Sequence, residues 1–189
     1  EFKYEEMGNM VKHLSYNKDG KVTSKTLKKC DSKGNVISKT FFDSKDNVDG
    51  EVEITYEGNK KESEIFISYH NGEKTFKTVE KYDDNENIIR AVSYGENGEI
   101  STKRSFEYDN NGHLISQKHM KADGSISQKK KFKFNNAGYM IEKAMIYPEG
   151  RGLNWRDEYK YDKYGNPTAT IIYNEMNEPV EKVVKEYSK

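Results

Sequence analysis

The residues of this chain best suited to molecular recognition lie around its only tryptophan: Arg151, Trp155, Arg156, Asp157 and Tyr159. An exposed indole or phenol beside guanidinium and carboxylate groups can stack on a sugar ring or anchor a protein partner. The alternative for Trp155 is packing beside Tyr159 within the fold.

Other chemistry is thinly supplied. The four histidines are His13, His70, His113 and His119. On a strand, His113 and His119 would share a face about 20 Å apart, too far to hold one metal. The run Asp83-Asp84-Asn85-Glu86-Asn87 has the composition of a calcium loop but not the twelve-residue layout with its terminal Glu. Turn chemistry accounts for it without a metal. Cys30 is the lone cysteine, so no internal disulfide can form, and a small buried apolar role suits it. None of the phosphate-cradling, dinucleotide, nucleophile-elbow or HExxH patterns occurs. The chain is therefore expected not to be an enzyme, with no catalytic, cofactor-binding or metal-ligating residues and no cofactor.

Charge narrows the partners further. Lys and Arg number 32 and so do Asp and Glu, so the cationic surplus that nucleic acid requires is missing and none is expected as partner. The basic run Gln128-Lys129-Lys130-Lys131 alternates into Phe132 and Phe134, as in a strand with one solvated face. No apolar run of about 18 residues exists, so no membrane-spanning helix is expected.

The elements that must position these residues are set by a period. Tyr4, Cys30, Tyr56, Tyr82, Tyr108, Phe134, Tyr161 and Tyr187 recur every 26 residues, with one step of 27. Each period holds two turn signals. One follows the anchor, as in Asp109-Asn110-Asn111-Gly112, and the other is an Asp-Gly, Asn-Gly or Glu-Gly pair such as Asn71-Gly72 or Asn97-Gly98. Between turns, pairs such as Phe106/Tyr108 and Tyr159/Tyr161 stand two apart, a spacing that puts both rings on one face of a strand. Helical spacings of three and four are missing.

The chain is thus expected to be all-β: an antiparallel meander of about 14 strands built from tandem hairpin repeats. It reads as a single repeat domain, 1–189, with units starting near 4, 30, 56, 82, 108, 134 and 161 and a closing strand to 187. So many strands predict a strongly curved single sheet or a barrel-like one, with aromatic columns lining the concave side. A lysine column (Lys25, Lys77, Lys103, Lys129, Lys182) is expected to face outward into solvent. The pattern decays twice. Ser44–Gly50 stands where a two-residue turn belongs, and around Gly58-Asn59-Lys60 the register of Ile65, Ile67 and Tyr69 shifts by one, which a bulge would correct. Those two sites, near Asp46 and Lys60, join the loop at Trp155 as places to look for specificity.

The stretches Tyr108-Asp109-Asn110-Asn111-Gly112-His113-Leu114 and Tyr161-Asp162-Lys163-Tyr164-Gly165-Asn166 resemble the bacterial YD or RHS repeat. Asn follows the Gly in the second, where that family often has Arg, and the period is longer. The resemblance covers essentially the whole chain. It implies an extended β-meander in a cell-surface or secreted bacterial protein; in large members the repeats build a hollow shell around a toxin. This chain is too short to enclose a cargo. The expected function is a non-catalytic, exported scaffold whose surface binds a protein or polysaccharide, located in the secreted, periplasmic or cell-surface space. The chain opens at Glu1-Phe2-Lys3-Tyr4 in mid-repeat, so a leader or upstream repeat is expected to have been removed. The alternatives are a structural spacer, a fragment of a larger surface or toxin-shell protein, or a cytoplasmic MORN-like interaction or immunity module.

Overall fold

The computed structural model describes residues 1–4, 10–148 and 154–187. Its strands are β1 (Phe2–Tyr4), β2 (Met10–Tyr16), β3 (Val22–Cys30), β4 (Val36–Phe42), β5 (Val48–Glu57), β6 (Lys60–His70), β7 (Glu73–Tyr82) and β8 (Ile88–Tyr94). They continue as β9 (Ile100–Tyr108), β10 (Leu114–Lys121), β11 (Ile126–Phe134), β12 (Met140–Ile146), β13 (Trp155–Tyr161), β14 (Pro167–Tyr173) and β15 (Pro179–Val184). Strand order is sequence order from β1 to β15, each hydrogen-bonded to its neighbours. The all-β meander is therefore found, with 15 strands among the described residues. The chain divides into two compact units, Glu1–Thr102 and Lys103–Lys189.

One loop design dominates. Asp31–Asn35 is an example: Gly34 N–H donates to Asp31 O at 3.1 Å, and Asp31 N–H donates to Asn35 O at 2.9 Å. This is a type I turn closed by a residue in the left-handed region. The same pair of bonds closes the loops starting at Asn17, Asp43, Asp83, Gly95, Asp109, Lys121, Asn135, Asp162 and Asn174. The fourth residue always has positive φ: glycine in most, but Asp46 (69°), Glu86 (62°) and Asn177 (61°) in three. The stretch around Asp46 is thus an ordinary member of the series, with Gly50 inside β5. The Asp-Gly and Asn-Gly pairs expected as two-residue turns mostly occupy positions three and four of this loop. Asn71–Gly72 is a true two-residue turn, with φ of 52° and 82°, and Gly58–Asn59 is another.

Each such turn leaves one extra residue in the strand that follows it. In the β3–β4 hairpin, Lys29 pairs with Ser38 but Cys30 with Val36, so Ile37 bulges. The register slips in the same way in every hairpin from β1–β2 to β7–β8, and again at β10–β11, β11–β12, β13–β14 and β14–β15. The bulge expected near Lys60 is present at Glu62, but it is the rule, not a local repair.

A one-residue slip moves every later side chain to the opposite face of the sheet. Pairing and alternation in the first unit accordingly place Tyr56 and Tyr82 on one face, with Val52, Ile54 and Ala91. Phe42, Tyr69 and Tyr94, at the opposite strand ends, lie on the other face with Ile65, Ile67 and Val92. In the second unit, Phe134, Trp155 and Tyr161 share one face, while Tyr173 and Ala169 take the other. The aromatic columns do not line a single concave wall. The expected barrel-like curling is also not realised: β1 pairs only with β2 and β15 only with β14, and neither unit is closed or strongly curled. With its apolar material divided between two faces, neither unit has an inner side to roll around. Val52, Ile54, Ala91, Val92 and Ala169 are buried, yet among the described residues no large side chain is fully enclosed.

Packing is finished by polar clasps. Tyr56 Oη donates to Val36 O (3.1 Å), Tyr161 Oη to Met140 O (2.7 Å) and Tyr187 Oη to Pro167 O (3.0 Å). Each phenol satisfies the carbonyl opposite the preceding anchor on the same strand end. The lysine column points outward only in part: Lys182 is exposed, but the others are half-buried. Lys25 Nζ lies 3.8 Å from the Phe42 ring centroid and pairs with Asp46, Lys77 lies over Tyr94 at 5.5 Å, and Lys103 donates to Ala122 O at 2.7 Å. At Lys25 and Lys77 the repeat position faces the ring at the other strand end, where a cation is held by the ring's negative face.

Gly165 has two reasons to be glycine: φ of 85°, and the Tyr139 phenol, which stacks on Tyr161 at 5.0 Å and occupies the space a Cβ would need. Gly112, with φ of 82°, has open space there. Gly112→Ala is predicted to cost about 1 kcal/mol of unfolding free energy from backbone strain alone. Gly165→Ala should cost more, and the excess should vanish in a Tyr139→Ala background; equal costs by urea denaturation would refute this. Glu86 carries the same backbone strain without the Asn or Asp side chain that tolerates it. Glu86→Gly is predicted to raise stability by about 0.5 to 1 kcal/mol, read as a higher denaturant midpoint.

Candidate functional site

Strand β13 alternates, and that divides the five residues singled out from the sequence. Trp155 pairs with Met145, Asp157 with Lys143 and Ile172, and Tyr159 with Thr170, so all three project from one face. Lys143 Nζ lies 5.0 Å from the Trp155 ring centroid, and Tyr159 Oη donates to Asp157 Oδ2 at 3.2 Å. Burial, with the Asp157 carboxylate adding to it, pushes the Tyr159 phenol up to about 12. Tyr159 therefore acts as a neutral donor throughout the physiological range. Trp155, Asp157 and Tyr159 are all half-buried. The strip they form offers an indole, a carboxylate and a phenol edge in line, a set able to stack on and hydrogen-bond a sugar or a peptide.

Arg156 points to the opposite face. Its guanidinium sits 3.8 Å from the Tyr173 ring centroid, pairs with Glu158, and donates to Asn177 Oδ1 through Nε (3.1 Å) and Nη2 (2.9 Å). The Arg156 bond, then the Tyr173 hydroxyl donating at 2.9 Å, hold the Glu158 carboxyl below its usual range. With Glu142 at 3.6 Å as a further partner, Arg156 is built into the sheet. Arg151 lies outside the described residues.

A second polar cluster, in the first unit, lies beside the irregular Lys60 site that the sequence marked, although its members Lys61, Glu64, Glu80 and Tyr82 were not singled out. Lys61 Nζ lies 4.2 Å from the Tyr82 ring centroid, donates to Tyr82 Oη at 3.0 Å and pairs with Glu64, while Tyr82 Oη donates to Glu80 at 2.9 Å. Burial opposes the charge of Lys61, but Glu64 and Tyr82 outweigh it and its pKa rises. The groove beside it, 410 Å³, is lined by Lys60, Lys61, Glu62, Tyr82 and Asp83. The sequence signal was available: Lys61 pairs with the anchor Tyr56 where other hairpins place Val36 or Ile88.

The histidines are dispersed. His13 stacks on Phe2 at 4.8 Å; His113 stacks on Phe134 at 4.5 Å and approaches Asp109 Oδ2 at 3.0 Å through Nδ1. Burial, then Lys130 and Arg104, keeps His119 below its ordinary value. No group of three or more His, Cys, Asp or Glu able to hold a metal ion occurs among the described residues. The acidic turns use their oxygens internally. Asp31 Oδ1 accepts the N–H of Lys33 and of Asn35, both at 2.9 Å, and Oδ2 accepts the Asn35 amide at 3.0 Å. Asp43, Asp83, Asp109 and Asp162 repeat this, with His113 as the side-chain donor to Asp109. Asn17, Asn135 and Asn174 perform the backbone part of the role as amides.

No family model matches the sequence, and no curated protein sequence does either. Solved structures do. A chain of the Photorhabdus luminescens Tc holotoxin pore, carrying a mutation in TccC3, matches at 13% identity and a TM-score of 0.64 over 97% of this chain. The match spans 9% of that toxin chain, so the present chain has the size of a small part of it. TcdB2–TccC3 without its hypervariable C-terminal region matches at 8% identity and a TM-score of 0.25, covering 98% of this chain and 15% of the other. A porin-like protein from Bacteroides uniformis matches at 9% identity and a TM-score of 0.35, covering 91% and 88%. The first likeness identifies the fold, an antiparallel meander of the kind found within a Tc toxin chain; the other two carry no weight.

The loop carboxylates make stability pH-dependent. The Asn35 amide on Asp31, the Asn47 amide on Asp43, the His113 ring on Asp109 and the Asn166 amide on Asp162, each with two backbone N–H groups, hold these carboxyls below their ordinary values. A depressed folded pKa contributes stability above the unfolded value of about 3.9, lost as pH falls through the folded value. Replacing all four by Asn is predicted to leave stability near neutral pH little changed, since Asn17, Asn135 and Asn174 already fill that position, and to flatten the acid limb. An unaltered acid limb in pH-dependent urea titrations would show that these carboxylates are not responsible.

Proposed function

We propose that this chain is a non-catalytic, YD-like repeat module of an exported bacterial protein, presenting its sheet as a binding or scaffold surface for a protein or polysaccharide. The observation that carries the reading is the strip Trp155–Asp157–Tyr159, which leaves an indole and a phenol half-exposed beside a carboxylate on a rigid strand. The acidic loops, the other concentration of functional groups, spend their oxygens on their own backbone. A binding role on a strand face fits this division better than catalysis or metal capture. The secreted, periplasmic or cell-surface location rests on the YD-like turns, and the fold shared with a stretch of a Tc toxin chain is consistent with it.

A second reading has its own support. The edge strands expose apolar side chains: Phe2 and Tyr4 on β1, Val180 and Val184 on β15. Unpaired edges of this kind suit a segment of a longer repeat wall, where the module acts as a spacer. The test is a glycan array probed with wild type and with Trp155→Ala. Binding by wild type, lost in the variant at an unchanged circular dichroism spectrum and melting point, supports the recognition strip. A flat array for wild type, with no protein partner cross-linked through the β13 face, favours the spacer.

A further inference from the structure

We propose that Asn71 is a covalent modification site, deamidating through a cyclic imide formed with Gly72, and that the fold singles it out from the other Asn-Gly pairs. There are three: Asn71–Gly72, Asn97–Gly98 and Asn111–Gly112, each with an exposed Asn. A following glycine favours ring closure in all of them, because the attacking residue has no side chain to hinder its approach.

Two of the pairs are restrained. Gly98 N–H donates to Gly95 O and Gly112 N–H to Asp109 O, both at 3.0 Å, so the nitrogen that must lose its proton and attack is engaged. The Asn97 side chain is also tied: Oδ1 accepts Glu99 N–H at 3.1 Å and Nδ2 donates to Glu99 Oε2 at 3.0 Å. Asn111 is held through its own N–H by Asp109 Oδ1 at 2.9 Å. These restraints come from the five-residue loop. Asn71 and Gly72 instead form a two-residue turn, and neither the Gly72 N–H nor the Asn71 amide has a hydrogen-bond partner among the described residues. A groove of 590 Å³, lined by Asn47, Glu51, Tyr69, Asn71 and Gly72, opens the site to water.

The chemistry balances without an oxidant or reductant. Hydroxide removes the Gly72 amide proton and the nitrogen attacks Asn71 Cγ; the new N–C bond forms as the Cγ–Nδ2 bond breaks and ammonia leaves. Water then opens the imide at one of its two carbonyls, giving an aspartyl or an isoaspartyl linkage. Either product places a new carboxylate in the groove beside Glu51. The isoaspartyl form also inserts a methylene into the backbone of a turn that depends on positive φ at both of its residues.

Peptide mapping by mass spectrometry after incubation in mildly alkaline buffer tests this, with a urea-unfolded sample in parallel. In folded protein Asn71 should deamidate several-fold faster than Asn97 and Asn111, and in urea the three rates should converge. Equal rates in the folded protein, or no conversion at Asn71, would overturn the proposal. A lead for Asn71 that persists unchanged in urea would do so as well, since local sequence and not the fold would then set the order.

Discussion

Most hairpins of this structure depend on one local constraint: a left-handed residue at the fourth position of a five-residue loop, held by a side-chain oxygen from within the loop. In most of these loops the acceptor is the first residue, Asp or Asn, whose Oδ1 takes two backbone N–H groups. Where that position is Gly95 or Lys121, the acceptor moves to Asn97 or Asp123 and takes the N–H of the fifth residue. The turn survives the exchange because the backbone needs an acceptor near that place, not a particular residue. The register slip that follows is a separate feature, one extra residue early in the next strand, and it occurs after five-residue and two-residue turns alike. Turn and bulge together thus decide which face every subsequent side chain occupies.

That consequence explains the composition. A sheet whose anchors take one face while the rings at the opposite strand ends take the other cannot collect its apolar residues on one side, so it does not need a second layer or a thick core. Each face carries a thin, half-buried set of rings and aliphatic groups. Tyr and Lys are well suited to it: the ring or the methylene stem covers apolar surface while the polar end reaches a carbonyl, a carboxylate or another ring. Tyr161 on Met140 O and Lys25 over Phe42 show the two forms. Individually such contacts contribute on the order of 1 kcal/mol. Their recurrence from hairpin to hairpin makes stability grow by addition of nearest-neighbour terms, as in other repeat arrays. A mean hydropathy of −1.08 is compatible with an ordered fold for this reason.

Much of this was legible in the sequence, and what was not has a single cause. The 26-residue period, the turn residues and the ring pairs two apart gave the meander and the strand positions, because those signals are local. Face assignment was not local. Counting by twos from Tyr56 puts Tyr69 on the opposite face only if the bulge at Glu62 is included, and one extra residue per hairpin is invisible to a spacing of two. The same omission sent Lys25 and Lys77 outward and the aromatic columns to one wall. The residues expected from the sequence to bind were divided by alternation alone: Arg156 stands next to Trp155 in sequence and across the sheet from it in space. The tightest loop partnerships, His113 on Phe134 and Tyr139 on Tyr161, went unread because both residues occupy the fifth loop position, which Asn fills in Asp31–Asn35, Asp83–Asn87 and Asp162–Asn166.

A two-faced sheet also limits where function can reside. The loops are chemically closed, their oxygens committed to backbone and to neighbouring amides, so a ligand competing for them would have to dismantle a turn. On β13 the faces differ in kind. One carries Arg156 and Glu158, whose charges are satisfied together with Glu142 of the neighbouring β12. The other carries Trp155, Asp157 and Tyr159, whose rings keep part of their surface in water. A partner can gain from the second face by burying apolar area without breaking an ion pair, whereas on the first it must offset the loss of Arg156's partners. Selectivity between the faces follows from the same alternation, and the same bulges, that build the fold.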